Sequence, residues 1–236
     1  EVPRAEDAPG LAGATPARQL VDIDPEEKVV GLVPVGPAVH SPIVLATVGG
    51  VIKRVKPGDE PRNAEAWEVI SLSGGDRVVF AGTAADTDFL ALVTSDAQLL
   101  RFQAAKVRPQ GRGAGGMAGI SLREGARVIA GAAVPEELLA EAVVVTVAGS
   151  EGSLPGTGGG SVKVTPLDRY PAKGRATGGV RSHRFLRGED ELVVAWVGVA
   201  PPRALREGGQ PVALPEPDER RDGSGSPLPA PIIGIG

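Results

Sequence analysis

Apolar residues along this chain come in short runs rather than helical stripes. The clearest are 43–55 (IVLATVGGVIKRV), 70–82 (ISLSGGDRVVFAG), 89–94 (FLALVT) and 142–149 (AVVVTVAG), all rich in Val, Leu and Ile. β-branched runs bounded by Gly-Gly or Ser-Asp predict strands, with tight turns at Gly49-Gly50 and Ser95-Asp96. Only 135–142 (PEELLAEA) predicts a turn of helix.

The runs repeat. At an offset of 63, Gln98 meets Ser161, Arg112 meets Arg175, Gly115-Gly116 meet Gly178-Gly179, and Gly125 meets Gly188. The same unit occupies 43–82 with its middle changed, and half-units stand at 25–35 and 203–214. Units of about 45 to 60 residues with two hairpin signals have the period of a propeller blade of about four strands. The expected fold is therefore all-β, a propeller-like ring of four blades, or five if 231–236 (PIIGIG) belongs to another. An open ring leaves an edge strand free to pair elsewhere, so closure by strand exchange between the two ends is expected, with 28–33 joining the blade of 203–214. Residues 1–23 are expected to be a linker and 24–236 a single domain; 215–230 reads as linker or loop, and 149–160 as a hairpin tip.

Composition narrows the chemistry. Gly 34 and Pro 22 in 236 residues bring the chain near a disordered composition, but 42% hydrophobic content favours a folded, turn-rich protein. There is no Cys, and the histidines are His40 and His183, which argues against disulfides, thiol nucleophiles and His/Cys metal sites. No cofactor is expected. The sequence opens on Glu1, its one Met is Met117, and no apolar run nears the ~18 residues of a membrane span. It reads as a soluble, cytoplasmic piece of a longer protein, with no membrane partner.

The formal charge of -4 conceals segregation. Residues 1–28 hold seven acids and three bases; 99–130 hold six bases against Glu124; 161–187 hold seven against Asp168. In a ring of blades, basic residues at matching repeat positions form a band around the rim, which suits bent DNA. Arg112 with Arg175, and Lys53-Arg54 with Arg101 and Lys163, are such recurrences.

Two nucleotide motifs fail on context. Gly111-Arg112-Gly113-Ala114-Gly115-Gly116 fits G-x-G-x-x-G, but strands rather than a helix are predicted to follow it. Gly156 to Ser161 lacks the Lys-Ser/Thr of a P-loop.

The segment instead resembles the gyrase-A box, the Gln-Arg-Arg-Gly-Gly-Lys-Gly heptad of the C-terminal β-pinwheel in bacterial type IIA topoisomerase A subunits. Gln110 to Gly116 keeps four of its seven positions, with Gly115 at the Lys position, and 171–179 (PAKGRATGG) is a weaker copy. Gly50-Val51-Ile52-Lys53-Arg54 and Ser161-Val162-Lys163-Val164-Thr165-Pro166-Leu167 are similar to the family's recurrent Lys-Arg-Thr-Pro-Leu strand. The resemblance, over about 24–236, implies a non-catalytic domain from the A subunits of gyrase or topoisomerase IV. Such a domain binds and bends or wraps double-stranded DNA without sequence preference and presents it to the catalytic core. The implied protein partners are the rest of the A chain and the ATPase (B) chain of the parent enzyme. The degenerate box tilts the expectation towards a topoisomerase IV-like role. DNA contact is expected at Lys53, Arg54, Arg101, Lys106, Arg108, Gln110, Arg112, Lys163, Lys173, Arg175, Arg181 and Arg184. The alternative is a propeller used for protein interaction without DNA.

No catalytic set is expected in this stretch. Family cleavage uses a tyrosine in another domain, and Tyr170, like Trp67 and Trp196, reads as a packing residue. His183, between Arg181 and Arg184, reads as a plain loop histidine, with phosphate contact the lesser alternative.

Overall fold

A computed structural model of the chain describes residues 16–24, 26–36, 39–58, 66–150 and 160–236. The first repeat contributes β1 (Ile43–Thr47), β2 (Val51–Val55) and β3 (Val78–Thr83). The second contributes β4 (Phe89–Thr94), β5 (Gln98–Gln103), β6 (Pro109–Gln110), β7 (Met117–Ala118) and β8 (Val128–Val134). The third contributes β9 (Ala142–Gly149), β10 (Ser161–Pro166), β11 (Val180–Arg181) and β12 (Glu191–Val199). β13 (Ala204–Leu205), β14 (Pro211–Val212), β15 (Ser226–Pro227) and β16 (Gly234–Ile235) complete the set.

These strands form four sheets, and each sheet is a blade built on one antiparallel hairpin: β1–β2, β4–β5, β9–β10 or β13–β14. The turns are locally encoded. Thr47 and Thr94 each use Oγ1 to accept the amide of the residue four along, Val51 (3.1 Å) and Gln98 (3.0 Å). The residue closing each turn has positive φ, +81° at Gly50 and +58° at Ala97.

Strands cross from one repeat to the next. β6 and β7, second-repeat elements by sequence, pair with β2; β11 of the third repeat pairs with β5, and β15 with β10. Each outer edge so covered is completed by the following repeat, which removes an exposed ladder and ties consecutive blades together. A glycine marks each crossing. Gly116 (φ +88°), Gly179 (φ +73°) and Gly225 lie against the carbonyls of Ile52, Leu99 and Val162, where an added Cβ would come within 2.9, 2.5 and 2.7 Å.

The core lies between blades. Val44, Ile52, Leu90, Leu100 and Phe102 pack at the first joint; Val93, Leu99, Val144, Leu167, Tyr170 and Leu192 at the second; Val145, Val162, Ala204, Val212 and Ile232 at the third. β1 and β4 are buried at every position, β4 between the first and third blades and β1 between the second blade and a cover of Val33, Val69 and Ile70, so their apolar runs are continuous rather than alternating. The predicted helical turn is present as a 3-10 turn, Glu136–Leu138.

The expected strand exchange between the two ends is not among the described strand pairings. Residues 28–33 form no strand and do not join the last blade; Gly31 instead lies against Ala81 of β3, and Val33 packs on Ile43, Leu45, Val55 and Ile70. The place beside β13 is taken by β16, with Arg203 and Gly236 exchanging backbone hydrogen bonds of 2.7 and 2.9 Å. Residues 231–236 therefore complete the fourth blade and do not begin a fifth. Of the 149–160 segment, 151–159 lie outside the described residues.

Gly179→Ala should place a methyl 2.5 Å from the Leu99 carbonyl at a positive φ, whereas Gly188→Ala, also at positive φ (+91°), meets open space. A loss of more than about 2 kcal/mol is expected for the first and about 1 kcal/mol for the second, read from urea unfolding midpoints.

Candidate nucleic-acid interface

The crossing segments carry the site. Between a blade's outer hairpin strand and the glycine at each crossing runs a loop: 111–116, 174–179 and 219–225. Arg112, Arg175 and Arg221 each stand four residues before that glycine. The loops share their fixings. The amides of Ser71, Ser121 and Arg184 donate to the carbonyls of Ala114 (3.3 Å), Thr177 (3.1 Å) and Gly223 (3.0 Å), always from the preceding repeat to the loop of the next.

Four of the twelve expected contact residues are not surface groups, which corrects that part of the assignment. Lys53 is fully buried and its ammonium donates to the carbonyls of Val69 (2.8 Å), Ala114 (2.6 Å) and Arg112. Arg54 is 1% exposed and grips the second repeat through Ala104 O (3.0 Å), Val107 O (3.2 Å), Ala84 O (3.2 Å) and Asp86 Oδ1 (2.6 Å). Arg101 lies 4.8 Å over the Phe89 ring; its Nε and one terminal nitrogen are buried without a hydrogen-bond partner, and burial lowers its pKa. Lys163 is 2% exposed and donates to the carbonyls of Arg221 (2.5 Å) and Arg220 (3.3 Å). The physical reason is common to all four. They lie on strands packed on both faces, where a long cation reaches backbone carbonyls or an aromatic face inside the protein instead of solvent.

The remaining eight divide by exposure. Lys106, Arg108, Lys173, Arg181 and Arg184 are exposed, Arg112 and Arg175 are half-buried at their loops, and Gln110 is half-buried in β6 with its side-chain carbonyl enclosed. On the second and third repeats and the third loop, further exposed cations are Arg123, Arg169, Arg187 and Arg220, with Arg221 half-buried; elsewhere Arg18, Lys28, Lys56, Arg77, Arg203 and Arg206 are exposed. The band is an arc rather than a full circle. Residues 43–83 hold five bases against five acids, with Lys53 and Arg54 among the bases, and residues 200–236 hold four against five. The basic segments are those of the second and third repeats, 99–130 with six bases against one acid and 161–187 with seven against one, although acids elsewhere bring the whole of 136–199 to seven bases against eight acids.

Comparison with known proteins accords with this geometry. The family described as "DNA gyrase C-terminal domain, beta-propeller" matches residues 88–135 and 156–194, the two repeats that carry the arc. The A subunit of DNA gyrase from Mycolicibacterium smegmatis is 30% identical over 183 residues, covering 75% of this chain and 20% of that protein. Its Escherichia coli K12 counterpart is 27% identical over 190 residues, covering 80% and 20%. The C-terminal domain of a DNA topoisomerase IV superposes with a TM-score of 0.75 at 19% identity, covering 94% of this chain and 70% of that one. The C-terminal domain of a DNA gyrase A superposes at 0.69 and 15% identity, covering 94% and 74%.

The chain belongs to the family of C-terminal domains found in type IIA topoisomerase A subunits. It spans about a fifth of the length of the curated gyrase A relatives it matches. Against the gyrase-A box, the third loop reads Glu219-Arg220-Arg221-Asp222-Gly223-Ser224-Gly225 and keeps two arginines and two glycines. In sequence it is masked because Pro215, Pro217 and the acids around it look like linker. The signal that marks it is the Arg-Arg-x-Gly-x-Gly spacing.

His183 lies at this third joint as a buried core residue, not a phosphate ligand. Gly225 N–H donates to Nε2 (3.2 Å), so Nε2 is the unprotonated nitrogen; Ser161 Oγ lies 3.0 Å from it, and Nδ1–H faces Thr146 Oγ1 at 2.9 Å. Burial, then the charge of Lys163, lowers the imidazole pKa to about 4, with Glu189 opposing. Tyr170 is also fully buried, with its hydroxyl towards the Ser182 carbonyl, and burial raises its pKa.

The unfolded chain protonates His183 near 6.5 and the folded chain near 4, so the stability from the neutral ring is present above pH 6.5 and is lost as pH falls towards 4. Its contribution to the slope across that window is at most about 1.4 kcal/mol per pH unit. His183→Gln should flatten urea stability against pH over this range, and an unchanged profile would contradict the assignment.

Proposed function

We propose that this domain, as the C-terminal part of the A chain of a type II topoisomerase, binds duplex DNA through its basic arc without reading base sequence and bends it across successive blades. The observation that carries the reading is the recurrence of Arg112, Arg175 and Arg221 at one position of three consecutive, glycine-bearing loops. A guanidinium offers two donors to one phosphate, and glycine lets the sugar-phosphate backbone approach closely. Contacts distributed over consecutive joints suit a curved duplex better than a single pocket does. Bending 20 to 30 base pairs by 40 to 90° costs about 1 to 6 kcal/mol, which several phosphate contacts offset. Catalysis, ATP hydrolysis and the choice between gyrase-like wrapping and topoisomerase IV-like geometry selection belong to the parent enzyme. An arc rather than a full basic circle favours bending over wrapping.

Arg112→Glu combined with Arg175→Glu should weaken binding to two unrelated duplexes of about 30 base pairs by the same factor, roughly 10-fold or more. The unaltered domain should bring the duplex ends together, read by fluorescence transfer, and the double variant should abolish that approach. Loss on one sequence alone would contradict phosphate contact. No loss on either would favour the propeller as a protein-interaction module.

A further inference from the structure

We infer that Lys53 and Lys163 are positioning residues that set the shape of the DNA-facing loop of the following repeat and never touch DNA themselves. This inference rests on the DNA-binding reading above and assigns a role to cations that the reading leaves without one.

Lys53 stands on β2 of the first blade, but two of the three carbonyls it binds, those of Arg112 and Ala114, belong to the loop of the second repeat; the third is Val69 O, in the return segment of its own blade. An ammonium has three donors and no acceptor, so three carbonyls satisfy it. Arg112 and Ala114 flank Gly113, and drawing both carbonyls onto one buried cation fixes the curl of the backbone from which the Arg112 side chain departs. A phosphate contact by Lys53 would require a fully buried ammonium to surrender these bonds, taking its donor from the Val69 and Arg112 carbonyls and leaving Ala114 O with the Ser71 amide.

The arrangement occurs again 110 residues on. Lys163 holds the same place in β10 and donates to the carbonyls of Arg220 and Arg221, where Arg221 corresponds to Arg112. At the middle joint the corresponding residue is Leu100, buried in the core, and the loop there is tied differently. Thr177 Oγ1 donates to Gly174 O (2.9 Å), Lys173 Nζ to Gly179 O (3.4 Å), and the Arg175 guanidinium to Ala118 O. Two loops are clamped by a buried lysine of the preceding blade, whereas the middle loop is held to the second repeat through Ala118, Gly119 and Ser121 and by bonds within itself, so it serves as an internal control for the lysine clamp.

The test is a set of double-mutant cycles on duplex affinity at fixed salt, with Lys53→Met as the probe. Alone it should weaken binding roughly 5- to 10-fold. In an Arg112→Ala background it should weaken binding less than about 2-fold further, and in an Arg175→Ala background it should retain its full effect. Hydrogen exchange at the Ser71 amide, which donates to Ala114 O, should accelerate in Lys53→Met without DNA. Losses that add with Arg112→Ala would mean independent phosphate contact and overturn the inference. Equal coupling to Arg112 and Arg175 would mean general destabilisation and overturn it too. Should Lys53→Met fail to fold, Lys163→Met with Arg221→Ala gives the same cycle at the third joint. Absence of duplex binding by the unaltered domain would instead sink the DNA reading itself.

Discussion

The structure depends on the passage of a short strand from each repeat to the outer edge of the blade before it. No hairpin here is stable alone, because two strands bury too little apolar surface. Pairing of β6 and β7 with β2, β11 with β5 and β15 with β10 supplies the missing edge and in the same stroke fixes where the intervening loop emerges. The site is thus a by-product of how the blades are joined. Each loop is anchored on a neighbouring blade, so its position is set by the packing of that blade.

The same joints explain why the cations fall into two populations. Buried Arg54 is matched through its two terminal nitrogens by four acceptors from the second repeat, with Nε left without a partner, and Lys53 by three carbonyls. A buried charge is tolerated only when its donors are met, since its desolvation otherwise costs several kcal/mol. Arg101 shows the less complete solution, in which the Phe89 face substitutes for part of a hydrogen-bond set. Cations on the loops and 3-10 turns of the second and third repeats stay at the surface, and these present the charge of the arc to the outside.

The repeat, the all-β class and the first two loops were legible because glycine spacing and strand runs are local signals. Which cations face water was not, for a physical reason. In a strand with one solvated face, adjacent Lys53 and Arg54 would point to opposite sides, one in and one out; β2 is covered on both faces, so both are buried. The closing strand of the last blade was not legible either, because 28–33 and 234–235 are both short and apolar, and only the fold shows that the second of them reaches β13. His183 was hidden by its arginine neighbours, since only the fold puts it opposite Thr146, Ser161 and Gly225.

Sequence-indifferent contact with phosphates along the arc is tested most directly by the salt dependence of duplex binding. Each phosphate neutralised contributes about -0.9 to the slope of log affinity against log salt. Several contacts across the second and third repeats should give a slope steeper than about -3, the same for unrelated sequences. A slope near zero, or one that differs between sequences, would contradict the arc as a phosphate-binding surface.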